Sequence, residues 1–113
     1  MSSNYETVRR AILARKPISF EYDGYNRIAC PHVLGQKAGR EKVLTYQYGG
    51  GSSSGLPPGG MWRCLFLSEA YNIQIIDGGW HTGMSHTRPQ TCVDAIDIQV
   101  FIDGAGNPYS QEA

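Results

Sequence analysis

The sequence predicts a mostly β protein, in which an N-terminal helix packs on a small antiparallel barrel of five or six strands. Three observations support this prediction: a short helical stripe at the start, several short segments of alternating apolar residues, and glycine-rich turns between them. Short strands joined in meander order favour a closed barrel, because closure removes exposed sheet edges. The 113 residues are enough for a single domain with one modest core.

The N-terminal segment predicts a helix over about residues 4–15. Ser3 and Glu6 form the S-x-x-E pattern of a capping box, which is typical of a helix start. Proline disfavours helical backbone at the residue before it, so the helix is expected to end before Pro17. Apolar side chains at helical spacing fall on one face of this helix: Tyr5, Val8, Ala11 and Ile12.

Alternation with a period of two predicts strands at residues 18–22, 25–30, 43–48, 62–67, 72–76 and 93–102. Asp23-Gly24 predicts a two-residue hairpin turn between the first two strands. Pro31 cannot donate a hydrogen bond to a sheet, so it is expected to end the second strand. The barrel is expected to span about residues 17–102, with a flexible loop at 49–61 and a frayed tail at 104–113.

The composition argues against several classes of protein. The formal net charge is zero, so no bulk electrostatic attraction draws the chain to nucleic acid or anionic lipid. No apolar run approaches the ~20 residues that span a bilayer, and the N-terminus lacks a hydrophobic signal segment, so we expect a cytoplasmic protein without a membrane partner. Cys30, Cys64 and Cys92 are odd in number and form no CxxC motif, which predicts reduced thiols in a cytosol.

Several stretches of the chain share features with a known family. The first is the helix end AILARKP, followed by the strand ISFEY, Arg27 and Pro31. The strand at 43–48 stands where the family has its Trp-Tyr-Leu strand, and Arg63 leads a strand as a family arginine does. In these residues the chain resembles the WYL domain family, over roughly residues 5–77. The namesake triplet reads Leu44-Thr45-Tyr46 here, and Glu69 stands at a second family arginine.

The resemblance implies an SH3-like or Sm-like barrel that acts as a ligand-sensing module, as in bacterial transcription regulators and defence systems. It implies an anionic ligand, either a nucleotide or a short single-stranded nucleic acid, with no cofactor and no enzymatic activity. Carried over to this sequence, it nominates Tyr22, Arg27, His32, Tyr46 and Arg63.

The chemistry of these residue types supports a binding face. Arginine recognises phosphate with two parallel donors, and aromatic rings stack on bases. We therefore expect Arg27 and Arg63 to hold phosphate, Tyr46 and Trp80 to stack, and the loop at 49–60 to order over the ligand. The alternative is that the arginines are solvated or paired with Glu21, Glu41 or Glu69 and that Tyr46 belongs to the core. The full set of ligand-binding candidates is Arg27, His32, Tyr46, Arg63, Trp80 and Arg88, with Trp62 as a further ring.

Two other classes of function stay open. His81, His86 and Cys92 form a weak pattern for a metal site or for thiol catalysis, but their spacing matches no familiar zinc module. A structural protein that assembles through sheet edges into a homo-oligomer is the other alternative. Nucleotide hydrolysis is not expected, because the glycine-rich loop lacks the lysine of a P-loop and precedes a strand.

Overall fold

The computed structural model describes residues 2–51, 55–83 and 90–113. A short 3-10 turn, Leu67–Glu69, connects the fourth and the fifth of the strands given below. None of the helices described has the length and the hydropathy that crossing a bilayer requires. The predicted mostly β class with an N-terminal helix is confirmed. The elements are α1 (Ser3–Ala14), β1 (Ile18–Tyr22), β2 (Tyr25–Lys37), β3 (Arg40–Gly50), β4 (Met61–Phe66), β5 (Ala70–Ile75), β6 (Ala95–Ile102) and β7 (Pro108–Glu112).

The strands form one antiparallel sheet organised around the long strand β2. The hydrogen-bonded order is β4-β3-β2-β1-β5. One edge of β2 pairs with β3, while the other edge pairs first with β1 and then with β6, which in turn pairs with β7. The meander order holds from β1 to β4, but β5 returns to pair with β1. In the part of the chain that the structure describes, β4 and β5 do not pair, so the sheet is not a closed barrel there.

The helix α1 packs the predicted apolar stripe against the sheet, since Tyr5, Val8, Ala11 and Ile12 are all buried. It begins one residue earlier than predicted because Ser2, not Ser3, is the N-cap residue. The Ser2 hydroxyl accepts a hydrogen bond from the backbone N–H of Tyr5 at 3.1 Å. Arg15 takes the left-handed conformation, with φ of 53°, and ends the helix before Pro17.

The largest differences from the predicted boundaries concern β2 and the C-terminal tail. The strand β2 continues past Pro31 to Lys37. Pro31 lies at an irregularity in the β2–β3 register, where a missing backbone N–H disturbs the sheet less. The tail predicted to be frayed forms β7. The Asp103 carboxylate accepts hydrogen bonds from the backbone N–H groups of Ala105 and Asn107, which stabilises the turn that brings β7 back to β6.

Both faces of β2 are covered. Leu34 faces the main core between α1 and the sheet, where it pairs with Ile98 of β6. Its neighbour Val33 faces the other side and packs in a smaller cluster with Cys92 and Val93. The chain before β6 therefore lies over the face of the sheet that α1 leaves uncovered.

A charged network connects α1 to the C-terminal strands. Asp97 of β6 accepts hydrogen bonds from the Tyr5 hydroxyl at 2.7 Å and from Nε of Arg9 at 3.0 Å. Arg9 also pairs with Glu112 of β7. Burial raises the pKa of the Asp97 carboxyl, but the hydrogen bonds from Arg9 and Tyr5 outweigh burial and lower this pKa below its usual value.

We expect this network to make the protein less stable in acid. The pKa of Asp97 is lower in the folded chain, so its contribution is present above the unfolded pKa of about 4 and is lost as the pH falls through the folded value. At neutral pH, Asp97→Asn should reduce the free energy of unfolding by about 1–2 kcal/mol, allowing for partial exposure. Urea unfolding at neutral pH and at about pH 3 tests this, and a difference that does not shrink in acid would contradict it.

Candidate functional site

The candidate residues on β2, β3 and β4 lie on two opposite faces of the sheet. Thr45 pairs with Arg63 across β3 and β4, and the next pair is Tyr46 with Trp62. Neighbouring residues of a strand point to opposite sides, so Arg63 and Trp62 cannot share a face. The arginine face is defined here by Arg27, Gln47 and Arg63, and the tryptophan face by His32, Tyr46 and Trp62.

Arg27 is a buried cation on the arginine face. The residue is only 5% exposed, and its Nη1 lies 3.5 Å from Oε1 of Gln47, which is a long hydrogen bond. Its guanidinium carbon lies 5.2 Å from the centroid of the Tyr22 ring. Among the described residues, Nε of Arg27 has no hydrogen-bond partner and no carboxylate forms an ion pair with the guanidinium. Burying a cation without a counter-charge is unfavourable, which is a reason to look for a ligand here.

The positive charge of Arg63 makes the burial of the charged Arg27 side chain still less favourable. Burial lowers the pKa of Arg27, and the nearby charge of Arg63 lowers it further, against a smaller opposite effect of Asp23. Of the acidic residues considered as partners, Glu41 accepts a hydrogen bond from the Ser2 hydroxyl and Glu69 pairs with Arg40. The arginine face therefore carries two cations close enough to repel each other.

The glycine-rich loop between β3 and β4 contacts both faces. On the arginine face, the Gln47 amide donates to the carbonyls of Gly49 at 3.0 Å and Gly51 at 3.2 Å, and Nη2 of Arg63 donates to the carbonyl of Gly55 at 3.2 Å. On the tryptophan face, the Tyr46 hydroxyl donates to the carbonyl of Gly59. The loop was predicted to be flexible, and its described part is held by these hydrogen bonds.

His32 packs within the tryptophan face. Its Nδ1 lies 2.8 Å from the carbonyl oxygen of Cys30, which can only accept, so Nδ1 carries a proton and donates to it, and Nε2 lies 3.1 Å from the Thr82 hydroxyl. The ring centroid lies 4.7 Å from that of Trp62 and 4.8 Å from that of Trp80. Both ring nitrogens are thus engaged within the protein, which is a structural role rather than a phosphate contact.

Tyr46 and Trp80 are also packing residues. The Tyr46 ring meets Trp62 edge to face at 5.2 Å and is buried. Trp80 packs on His32 and on the main core. The single binding face expected from the sequence is therefore divided, because the arginines and the predicted stacking residue Tyr46 lie on opposite sides of the sheet. Arg88 lies outside the described residues.

The residues that form a weak pattern for a metal or thiol site do not come together in the described part of the chain. Cys92 forms a disulfide with Cys64, so the prediction of reduced thiols is wrong for this pair, and neither sulfur serves as a ligand or a nucleophile while the bond is intact. His81 stacks on Tyr48 with centroids 3.8 Å apart, and His86 lies outside the described residues. Where the structure describes the chain, no three His, Cys, Asp or Glu side chains form a group that could hold a metal.

Cys30 is the remaining thiol, and it is buried. Its sulfur accepts a hydrogen bond from the backbone N–H of His81 at 3.2 Å. Burial raises the pKa of the Cys30 thiol to about 11, so it stays protonated at neutral pH and is a poor nucleophile.

Sequence reasoning missed two residues of the arginine face. Gln47 contacts both Arg27 and the carbonyls of the loop. Tyr25 lies two residues before Arg27 on the same side of β2, and it is partly exposed to solvent. The period of two could have indicated both positions, since Tyr25 alternates with Asn26 beside Arg27 and Gln47 alternates with Tyr46.

Comparison with protein-family models, with curated proteins and with solved structures found no match to this chain. The fold and the site therefore define its class in structural terms. It is a small antiparallel β protein with an N-terminal helix, and it buries an arginine beside a second arginine on one face of its sheet.

Proposed function

We propose that the protein is a non-enzymatic binding module for an anionic ligand that carries phosphate, either a nucleotide or a short single-stranded nucleic acid. The observation that supports this most is the buried guanidinium of Arg27, which has Arg63 nearby and lacks a carboxylate in an ion pair among the described residues. A bound phosphate would supply the missing counter-charge and would offset the repulsion between the two arginines.

The shape of the donors favours phosphate over a simple monovalent anion. A guanidinium presents parallel N–H groups that match two oxygens of one phosphate. Nε of Arg27 is a donor without a protein acceptor in the described part of the chain. Two neighbouring cations also favour a ligand with more than one negative charge.

The resemblance to the WYL domain family supports the same proposal from the sequence, because it nominates both Arg27 and Arg63. The finer description of the fold as an SH3-like barrel is part of this proposal. It is supported by β2, which pairs with β3 along one edge and with β1 and β6 along the other, as a strongly bent barrel strand does.

A cytoplasmic location was expected partly from reduced thiols. The disulfide between Cys64 and Cys92 removes that support, because such bonds persist mainly in oxidising compartments. The proposed binding chemistry is the same in either compartment.

The proposal predicts that Arg63→Gln weakens binding of short single-stranded DNA or RNA. We expect the dissociation constant to rise at least about tenfold, since a hydrogen bond to a charged group contributes about 1.5–3 kcal/mol. Fluorescence anisotropy of labelled strands, measured at two salt concentrations, gives both the affinity and its salt dependence. Loss of one phosphate contact should reduce the magnitude of the logarithmic salt slope by about 0.7.

Arg10→Gln is the matched control, because Arg10 is an exposed arginine on α1, away from the arginine face. It removes the same charge but should change the affinity little. Equal losses in the two variants would mean that binding follows the overall charge, and the proposed site would be rejected. If neither strand binds to the wild type, labelled nucleotides are the next ligands to titrate, and failure of both classes contradicts the proposal.

A second function, assembly into a homo-oligomer, is favoured by the unpaired sheet edges. In the described residues β4 pairs only with β3, and β5 pairs only with β1, which leaves an outer edge on each. Light scattering after size-exclusion chromatography separates the two candidates. A monomer of 12.4 kDa at high concentration would exclude stable assembly.

A further inference from the structure

Tyr25 is an exposed aromatic residue next to the buried cation. Its side chain is 40% exposed, although large aromatic residues of a small β protein usually pack in the core. It directly follows the turn of the β1–β2 hairpin, where it pairs with Tyr22. Within the described residues the Tyr25 hydroxyl makes no hydrogen bond, and its nearest polar influence is electrostatic, on Arg27.

The register places Tyr25 and Arg27 on the same side of β2. Arg27 pairs with Phe20 and Tyr25 pairs with Tyr22, and these two partners lie two residues apart on β1. Residues two apart on a strand are separated by about 6.6 Å. This is comparable to the span of a nucleoside monophosphate from its phosphorus to its base.

The glycine-rich loop leaves space for the ring. A Cβ at Gly51 would lie 3.1 Å from Cδ1 of Tyr25, so the backbone of the loop lies against one edge of the ring. The Gln47 amide holds the Gly51 carbonyl in place. The ring thus lies against the loop at Gly51, while 40% of the residue's surface stays exposed to solvent.

We propose that Tyr25 is the stacking residue of this site and that the ligand carries a nucleobase whose phosphate is held by Arg27 and Arg63. This inference rests on the proposed function. It replaces Tyr46 and Trp80, which pack inside the protein, with a ring that lies on the side of the arginines. Stacking tolerates all bases because each has a flat face, so the site is expected to select for a base without selecting its identity.

The experiment compares two probes by calorimetry, adenosine monophosphate and ribose 5-phosphate, which differ by the base alone. We expect the wild type to bind adenosine monophosphate at least about tenfold more tightly. In Tyr25→Leu this ratio should fall to near one while the affinity for ribose 5-phosphate stays unchanged. Tyr25→Phe should keep the ratio, because the ring is retained.

Tyr71→Leu is the matched control. Tyr71 is the other strongly exposed tyrosine of the β1 neighbourhood, and it pairs with Glu21, which points to the opposite side of β1 from Tyr22. It should leave both affinities unchanged. The stacking inference is overturned if the wild type does not distinguish the probes, if Tyr25→Leu keeps the ratio, or if it loses both probes equally. If neither probe binds to the wild type, the phosphate site itself is contradicted together with the stacking.

Discussion

Replacing Arg27 by methionine is expected to abolish phosphate binding while leaving the fold as stable as the wild type, or more stable by up to ~2 kcal/mol. Arg27 is buried, and in the described chain it has no carboxylate partner and only a long hydrogen bond to Gln47. Methionine resembles the unbranched aliphatic part of the arginine side chain and carries no charge, so it removes the desolvation penalty and the repulsion from Arg63. A residue that serves ligand binding and not folding is expected to show this combination, in which binding is lost while the free energy of unfolding is kept or rises.

Arg9→Met serves as the control for this experiment. Arg9 donates to Asp97 and pairs with Glu112, so its removal leaves hydrogen-bonded carboxylates without their partner. This variant should lose about 1–2 kcal/mol of unfolding free energy and keep its ligand affinity. Denaturant unfolding and the anisotropy titration measure both quantities. A strongly destabilised Arg27→Met protein would show that Arg27 serves the fold, and the argument for a ligand would lose its main observation.

Removing the disulfide is expected to cause the largest loss of stability. The bond joins Cys64 on β4 to Cys92 across a sequence separation of 28 residues. In the chain-entropy description, a loop of this length corresponds to about 3–4 kcal/mol of unfolding free energy. The double variant Cys64→Ala/Cys92→Ala should unfold at correspondingly lower denaturant concentration than the oxidised wild type.

A thiol assay checks the bond itself. The chain has three cysteines, and Cys30 alone is free in the structure. In denaturant without a reductant we expect one reactive thiol per chain, and three after reduction. Three thiols before reduction would contradict the disulfide, and an unchanged unfolding midpoint in the double variant would contradict its effect on stability.

Local patterns in the sequence predicted most of the elements. The apolar stripe of α1, the Asp23-Gly24 turn and the alternation along β6 are each determined by neighbouring residues, and the structure has all three. The pairing of β5 with β1 and the extra strand β7 depend on contacts between distant residues. A pattern of period two does not identify its partner strand, so these features could not be predicted from it.

The candidate site was predicted in part. The sequence identified Arg27 and Arg63, but the predicted binding face also contained Tyr46. Tyr46 pairs with Trp62, which is adjacent to Arg63 on β4, so Tyr46 and Arg63 must lie on opposite sides of the sheet. The disulfide was missed because an odd number of cysteines without a CxxC motif resembles a set of reduced thiols. The burial of Arg27 could not be predicted, since it depends on contacts with residues that are distant in the sequence, such as Gln47.

The most direct test of the central claim is to observe the Nε–H signals of the arginines by nitrogen–proton NMR during a titration with adenosine monophosphate. Arg27→Lys and Arg63→Lys assign two of these signals by their disappearance. We expect the signal of Arg27 to shift most and to move downfield, because its Nε–H gains an acceptor that the described protein does not provide. Shifts confined to arginines of α1, with the signals of Arg27 and Arg63 unmoved at saturation, would contradict a phosphate site on the arginine face.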